Sequence, residues 1–99
     1  MADVTSVLKE NIKKAVKSIY DIDVESIPLE HPENEAFGDY STSIALSLSK
    51  KLKKMPLKIA EDILHELHSY KILFDNGYDH YPILDNIEVA SPGFINFKL

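Results

Sequence analysis

Residues 86–99, with the sequence NIEVASPGFINFKL, decide the fold because two strand-like runs flank a Ser91-Pro92-Gly93 turn. Proline presets the backbone for a turn and glycine tolerates a positive φ, so these residues predict a β-hairpin. Side chains of the second strand alternate between its two faces. The alternation predicts a core face with Ile95, Phe97 and Leu99. The opposite face carries Phe94, Asn96 and Lys98.

The opposite face combines an aromatic ring, an amide and a cation. Phe94 can stack on a nucleobase, Asn96 can donate and accept hydrogen bonds at a base edge, and Lys98 can meet a phosphate. This combination indicates an RNA contact. The residues alone leave two alternatives open, namely that Phe94 covers its own turn or that it touches a neighbouring domain.

Length and composition exclude several classes of protein. A chain of 99 residues, 44% of them hydrophobic, can form one soluble domain over residues 1–99 with a single core. The absence of cysteine excludes disulfides and cysteine-ligated metal sites. Because no apolar run approaches the ~20 residues that cross a bilayer and no secretion signal is evident, we expect a cytoplasmic protein with no membrane partner.

The charge of the chain limits how it could bind nucleic acid. The net charge is −5, and all eleven basic residues are lysines. Non-specific binding depends on the number of phosphates that are neutralised, and the bidentate fork of arginine is missing. We therefore expect no DNA partner, and any RNA contact should be local and auxiliary to a larger surface.

The first half of the chain predicts a helix, a short strand and a bend. Apolar residues at three- and four-residue steps indicate an amphipathic helix over the first twenty residues, with Asp3 as its N-cap. Residues 27–29 predict a short strand, and because Pro28 has no N–H it must lie at a sheet edge or at the start of a strand. Gly38 allows a bend, after which Asp39 or Ser41 could cap the next helix.

Two further helices follow, and lysines concentrate between them. Pro56 suits the first turn of a helix, and a clean apolar stripe follows it. The preceding helix and the bend carry Lys50, Lys51, Lys53 and Lys54, with Lys58 just beyond. Lys50, Lys51, Lys53 and Lys54 are candidate phosphate contacts, although lysines are also favoured at helix ends for electrostatic reasons.

The motifs of catalysis and metal binding are absent. Asp21, Asp23 and Glu25 lack the glycine and the distal acid of a calcium loop, and His65 and His68 are three residues apart instead of four. Three glycines cannot supply a nucleotide-binding loop, and no serine lies in a nucleophile elbow. We expect neither a catalytic residue nor a metal.

The order helix, strand, bend, helix, helix, strand, strand predicts an α+β two-layer domain. In this architecture a small antiparallel sheet carries about three helices on one face and leaves the other face free. Residues 75–82 have the composition of a loop before the closing hairpin.

The chain resembles the N-terminal domain of arginyl-tRNA synthetases. The resemblance covers nearly the whole chain and is carried by residues 37–45 (FGDYSTSIA), 53–56 (KKMP), 59–60 (IA) and 91–97 (SPGFINF). It implies a domain that is appended before a class I catalytic core and contacts the elbow of tRNA-Arg at the D-loop. ATP and Mg would then bind in the catalytic domain of the same parent chain, and this domain would hold no cofactor.

The resemblance maps the D-loop contact onto Ser91, Phe94 and Asn96, with Phe94 stacking on a base and Asn96 bonding its edge. Other members carry glutamine at the position of Asn96, and the residue at Ser91 varies. The alternation of the last strand and the resemblance agree on Phe94 and Asn96. A protein-docking module without RNA contact is the alternative, because the chain is acidic and has no arginine.

Overall fold

The computed structural model describes residues 4–33, 38–70 and 84–99. Within these ranges it contains three helices and three strands. In chain order they are α1 (Val4–Tyr20), β1 (Tyr40–Thr42), α2 (Ile44–Leu52), α3 (Pro56–Leu67), β2 (Asn86–Ala90) and β3 (Phe94–Lys98).

The three strands form one antiparallel sheet in the order β1-β3-β2. The last strand of the chain is therefore central. Its register pairs Phe97 with Tyr40 on one side and with Ile87 on the other. Ile95 and Phe97 are fully buried, in agreement with the core face that alternation predicts. Leu99 lies outside the strand and is exposed.

The helices cover one face of the sheet. Helix α3 packs against β2 and β3, α2 also contacts β3, and both α1 and α2 pack against α3. Buried apolar residues from all three helices join those of the sheet in one hydrophobic cluster. The predicted α+β two-layer fold is thus confirmed for the described ranges, as are the closing hairpin, the first helix and the start of α3 at Pro56.

The predicted strand at residues 27–29 is wrong. These residues form no ladder; the adjacent Glu30 makes an isolated bridge with Ser41, with two backbone hydrogen bonds of 2.8 Å. The strand that joins the sheet is β1, which sequence analysis took for part of a bend. Pro28 cannot donate to a ladder, which is consistent with pairing that begins only at Glu30.

The predicted caps of α2 are also wrong. Ser43 occupies the N-cap position without a side-chain bond, and the hydroxyl of Thr42 accepts a hydrogen bond from the Ile44 N–H at 3.2 Å. Asp39 instead accepts a bond from the backbone N–H of Leu99 at 2.8 Å. Ser41 turns towards the last strand, as described below. The predicted cap at Asp3 and the predicted loop at residues 75–82 lie outside the described residues.

Gly93 is required for a different reason from the predicted one. Of the described glycines, Gly38 has a positive φ (89°) and Gly93 does not. A Cβ atom at Gly93 would lie 2.6 Å from Cβ of Pro56 and 3.0 Å from its carbonyl carbon. The hairpin turn therefore packs directly on the first turn of α3.

Replacing Gly93 by alanine should lower the free energy of unfolding by about 1–3 kcal/mol, because the added methyl group must displace the backbone of Pro56. Urea denaturation measures this difference. Ser91→Ala, an exposed change in the same turn, is the control and should stay within about 0.5 kcal/mol of the wild type. Equal stabilities of the two variants would contradict the close packing.

Candidate functional site

Four side chains form a row across the sheet face that the helices leave uncovered. Ser41 pairs with Asn96 across β1 and β3, Glu88 pairs with Asn96 across β2 and β3, and Glu30 pairs with Ser41 in the isolated bridge. Directly paired residues project to the same face of a sheet. The row, which we call the outer row, therefore runs Glu30, Ser41, Asn96, Glu88.

A groove of about 320 Å³ opens at the outer row, next to the hairpin turn. Phe94 is partly buried and lines this groove together with Asn96. The ring and the amide that sequence analysis placed on one face thus border the same concave surface. Among the described residues, those that line the groove are Glu30, Pro32, Ser41, Ala90, Ser91, Phe94 and Asn96.

Asn96 is less exposed than alternation alone suggests. Its exposed fraction is 9%, because it lies on the central strand between Ser41 and Glu88. The hydroxyl of Ser41 donates a hydrogen bond to Oδ1 of Asn96 at 2.9 Å. The amide is therefore held at the base of the groove, away from the helix-covered core.

The remaining predicted contacts are distributed around the groove. Ser91 is exposed and lines it. Lys98 is on the same strand face as Asn96 but ~7 Å further along the strand, opposite Asn86, and does not line the groove. Glu30, Pro32 and Ser41 also line the groove but were not predicted as site residues. Strand β1 has only three residues, which is too short for an alternating pattern to show which face Ser41 occupies.

The lysine-rich turn between α2 and α3 adjoins the hairpin turn through the contact of Gly93 with Pro56. Lys50, Lys51 and Lys53 are exposed there, and the structure shows no ion pair for them within the described ranges. Lys54 is engaged: its Nζ lies 3.4 Å from Oδ2 of Asp62 and 5.2 Å from the centre of the Tyr20 ring.

The side chain of Asp62 on α3 contacts Tyr20 of α1 and Lys54 of the turn between α2 and α3. The Tyr20 hydroxyl donates to Oδ2 of Asp62 at 2.8 Å, and Lys58 lies 3.4 Å from Oδ1. Desolvation acts to raise the pKa of Asp62, but the bonds from Tyr20, Lys54 and Lys58 outweigh it and keep that pKa below its usual value. Desolvation, followed by the bond to Asp62, raises the pKa of Tyr20.

Tyr20→Phe should lower the free energy of unfolding at pH 7 by about 1 kcal/mol, the contribution of one hydrogen bond. Because the pKa of Asp62 is depressed in the folded state, its contribution is present above the unfolded value and is lost as pH falls through the folded one. The difference between wild type and variant should therefore narrow from pH 7 to pH 3 in urea titrations. Asp62→Asn should remove this part of the pH dependence, and an unchanged slope would contradict the assignment.

Among residues 4–33, 38–70 and 84–99, no group of three His, Cys, Asp or Glu side chains could hold a metal ion. His65 and His68 are both exposed. In the same ranges, no helix has the length and apolarity needed to cross a membrane.

Comparison with known proteins identifies the family. The family model described as the arginyl tRNA synthetase N-terminal domain matches residues 6–99. The chain belongs to this family. The predicted resemblance is therefore confirmed over nearly the whole sequence.

Curated relatives are arginine–tRNA ligases of much greater length. The ligase of Listeria welshimeri is 41% identical over 95 residues, and that of Thermotoga petrophila is 36% identical over 92 residues. Each match covers 93% of this chain and 15% of the relative. The chain thus corresponds to about one seventh of the length of these ligases.

Solved structures agree in fold. The arginyl-tRNA synthetase of Plasmodium falciparum matches with a TM-score of 0.73 and 22% identity, over 100% of this chain and 16% of that one. The arginyl-tRNA synthetase of Thermus thermophilus matches with a TM-score of 0.63 and 25% identity, over 95% of this chain and 13% of that one. The two-layer fold described above is therefore shared with solved synthetases.

Proposed function

We propose that this chain is the tRNA-binding domain of an arginine–tRNA ligase, and that its groove receives one unstacked base from the D-loop at the elbow of tRNA-Arg. The observation that supports this most directly is that Phe94 and Asn96 line one open groove on the sheet face that the helices leave free. Family membership supports the role in arginylation.

The groove is built for a base and not for a phosphate. Phe94 offers a ring for stacking, and Asn96 offers an amide at the base of the groove. Glu30, which lines the groove, and Glu88, which is paired with Asn96, are carboxylates that repel a phosphate. Phosphates would instead meet cations outside the groove, namely Lys98 and the exposed Lys50, Lys51 and Lys53, with Lys54 held by Asp62.

The domain would orient tRNA and leave the reaction to the rest of the ligase. Stacking on one base contributes roughly 1–3 kcal/mol, which corresponds to weak binding when it acts alone. In this proposal ATP, Mg and arginine bind in the catalytic domain of the same parent chain, which is the domain's second partner. This domain itself holds no cofactor and supplies no catalytic residue.

In an arginine–tRNA ligase that carries this domain, Phe94→Ala should lower kcat/KM for tRNA about 5- to 150-fold, since a stacking contact of roughly 1–3 kcal/mol is lost. ATP and arginine binding should stay unchanged. Phe94→Tyr is the matched control, because it keeps the ring and should retain most of the activity. Unchanged tRNA kinetics in Phe94→Ala would overturn the proposal.

A docking module that binds protein and not RNA is the second candidate. The net charge of −5, the missing arginines and the carboxylates of Glu30 and Glu88 on the outer row favour it. Chemical footprinting of tRNA-Arg with and without the domain separates the two candidates. Protection confined to the D-loop supports the tRNA-binding role, whereas an unchanged D-loop pattern supports docking.

The exposed lysines of the α2–α3 turn should contribute to the salt dependence of tRNA binding. Each phosphate contact adds about 0.7–0.9 to the slope of log K against log salt concentration. The double variant Lys50→Gln, Lys51→Gln should therefore reduce the slope measured for this chain by about 1–2. Lys9→Gln, Lys13→Gln on the exposed side of α1 is the control, and equal slopes for both double variants would exclude the turn from the interface.

A further inference from the structure

We infer that Ser41 is a positioning residue that fixes the amide of Asn96, so that the groove prefers a base edge with a keto oxygen next to an N–H. This inference rests on the proposed function. It concerns the chemistry that the groove recognises and adds a residue for which sequence analysis predicted only a helix cap.

The register of β1 brings Ser41 close to Asn96. Both the N–H and the carbonyl of Ser41 bond to Glu30, at 2.8 Å each, so these groups point away from β3. Ser41 and Asn96 are consequently a pair without direct backbone bonds, the type of antiparallel pair in which side chains come closest. Their side chains meet at 2.9 Å.

This contact sets the direction of the amide. The Ser41 hydroxyl donates to Oδ1 of Asn96, so Nδ2, the other terminal atom of the planar amide, is directed away from Ser41. Glu88, the partner of Asn96 on β2, accepts a hydrogen bond through Oε1 from Nδ2 of Asn86 at 3.0 Å, so the contact that orients the Asn96 amide is the one from Ser41. Ser41 on β1 therefore selects one arrangement of the amide.

The amide nitrogen is available to a ligand. The structure shows no acceptor for Nδ2 of Asn96 within the described residues. In those same residues, no buried side-chain nitrogen or oxygen lacks a hydrogen-bond partner. Nδ2 is therefore accessible, and because Asn96 lines the groove, this nitrogen offers its N–H there.

The neighbouring groups of the groove accept hydrogen bonds. The hydroxyl hydrogen of Ser41 is used in the hydrogen bond to Asn96, so Ser41 can offer a ligand only its oxygen lone pairs. Glu30 also lines the groove and presents a carboxylate. A donor at Asn96 next to acceptors at Ser41 and Glu30 complements a base edge in which a keto oxygen adjoins an N–H. Uracil-type edges have this pattern, whereas the corresponding cytosine edge presents an amino group next to an unprotonated ring nitrogen.

Two hexanucleotides, U6 and C6, test the inference because both are pyrimidines and differ in this edge. Titrations of the 15N-labelled chain followed by NMR should show about fivefold tighter binding of U6, the effect of one hydrogen bond. Ser41→Ala should reduce the U6-to-C6 ratio to about one, while Ser41→Thr keeps the hydroxyl and should keep the preference. Phe94→Ala should weaken both oligonucleotides equally.

The outcomes separate this inference from the proposed function. If the wild type binds U6 and C6 equally, or if Ser41→Ala keeps the preference, the positioning role of Ser41 is overturned. Weakening of both oligonucleotides by Phe94→Ala would still support the base groove in that case. Failure of the wild type to bind either oligonucleotide would overturn the base preference, whereas the tRNA-binding role is tested separately by the kinetics of Phe94→Ala in the ligase. The backbone resonance of the buried Phe97 reports in each variant that the fold is kept.

Discussion

The register of the central strand is the constraint on which the rest of the structure depends. Ile95 and Phe97 must face the helices, and a slip of one residue would exchange them for Phe94 and Asn96. Burying one such apolar side chain contributes about 1.5–3 kcal/mol, a large part of the 5–15 kcal/mol that stabilises a typical domain. The core therefore fixes the register, and the register places the ring and the amide on the open face. The hydrophobic effect thus decides which strand face carries the groove, and the hydrogen bond from Ser41 to Asn96 then orients the amide within it.

Two segments far apart in the chain meet at this strand. A Cβ atom at Gly38 would lie 2.7 Å from the Phe97 carbonyl oxygen, the Asp39 N–H donates to that same oxygen, and the Asp39 carboxylate accepts from Leu99. Ser41 then pairs with Asn96. The Gly-Asp-Tyr-Ser segment and the Pro-Gly-Phe-Ile-Asn-Phe segment, two of those that carry the family resemblance, thus lie side by side in the fold.

The elements that could be predicted from the sequence are those in which a periodic pattern extends over several repeats. Helices α1 and α3 and the alternation of β3 show several repeats each, and their existence was predicted correctly. Strand β1 has three residues, which are too few to show a period. Its Ser41 was therefore predicted to cap the following helix. The burial of Asn96 could not be predicted either, because it depends on Ser41 and on the isolated bridge of Glu30, which are brought close only by the fold. The side-chain chemistry of Phe94 and Asn96 could be predicted from the sequence, but the degree of their burial could not.

The distribution of charge reconciles an acidic chain with the proposed contact to RNA. The Glu30 carboxylate lines the groove, while exposed Lys50, Lys51 and Lys53 lie near the connection of α2 to α3, whose Pro56 contacts Gly93 of the hairpin turn. In the proposed function a carboxylate repels phosphate from the groove that receives the base, so the base and its backbone contact different parts of the surface. Such an arrangement contributes little to non-specific affinity, because few phosphates are neutralised. In the proposed function its contribution is orientation: a single base held in the groove fixes where the elbow lies, and the larger surface of the ligase supplies the remaining binding energy.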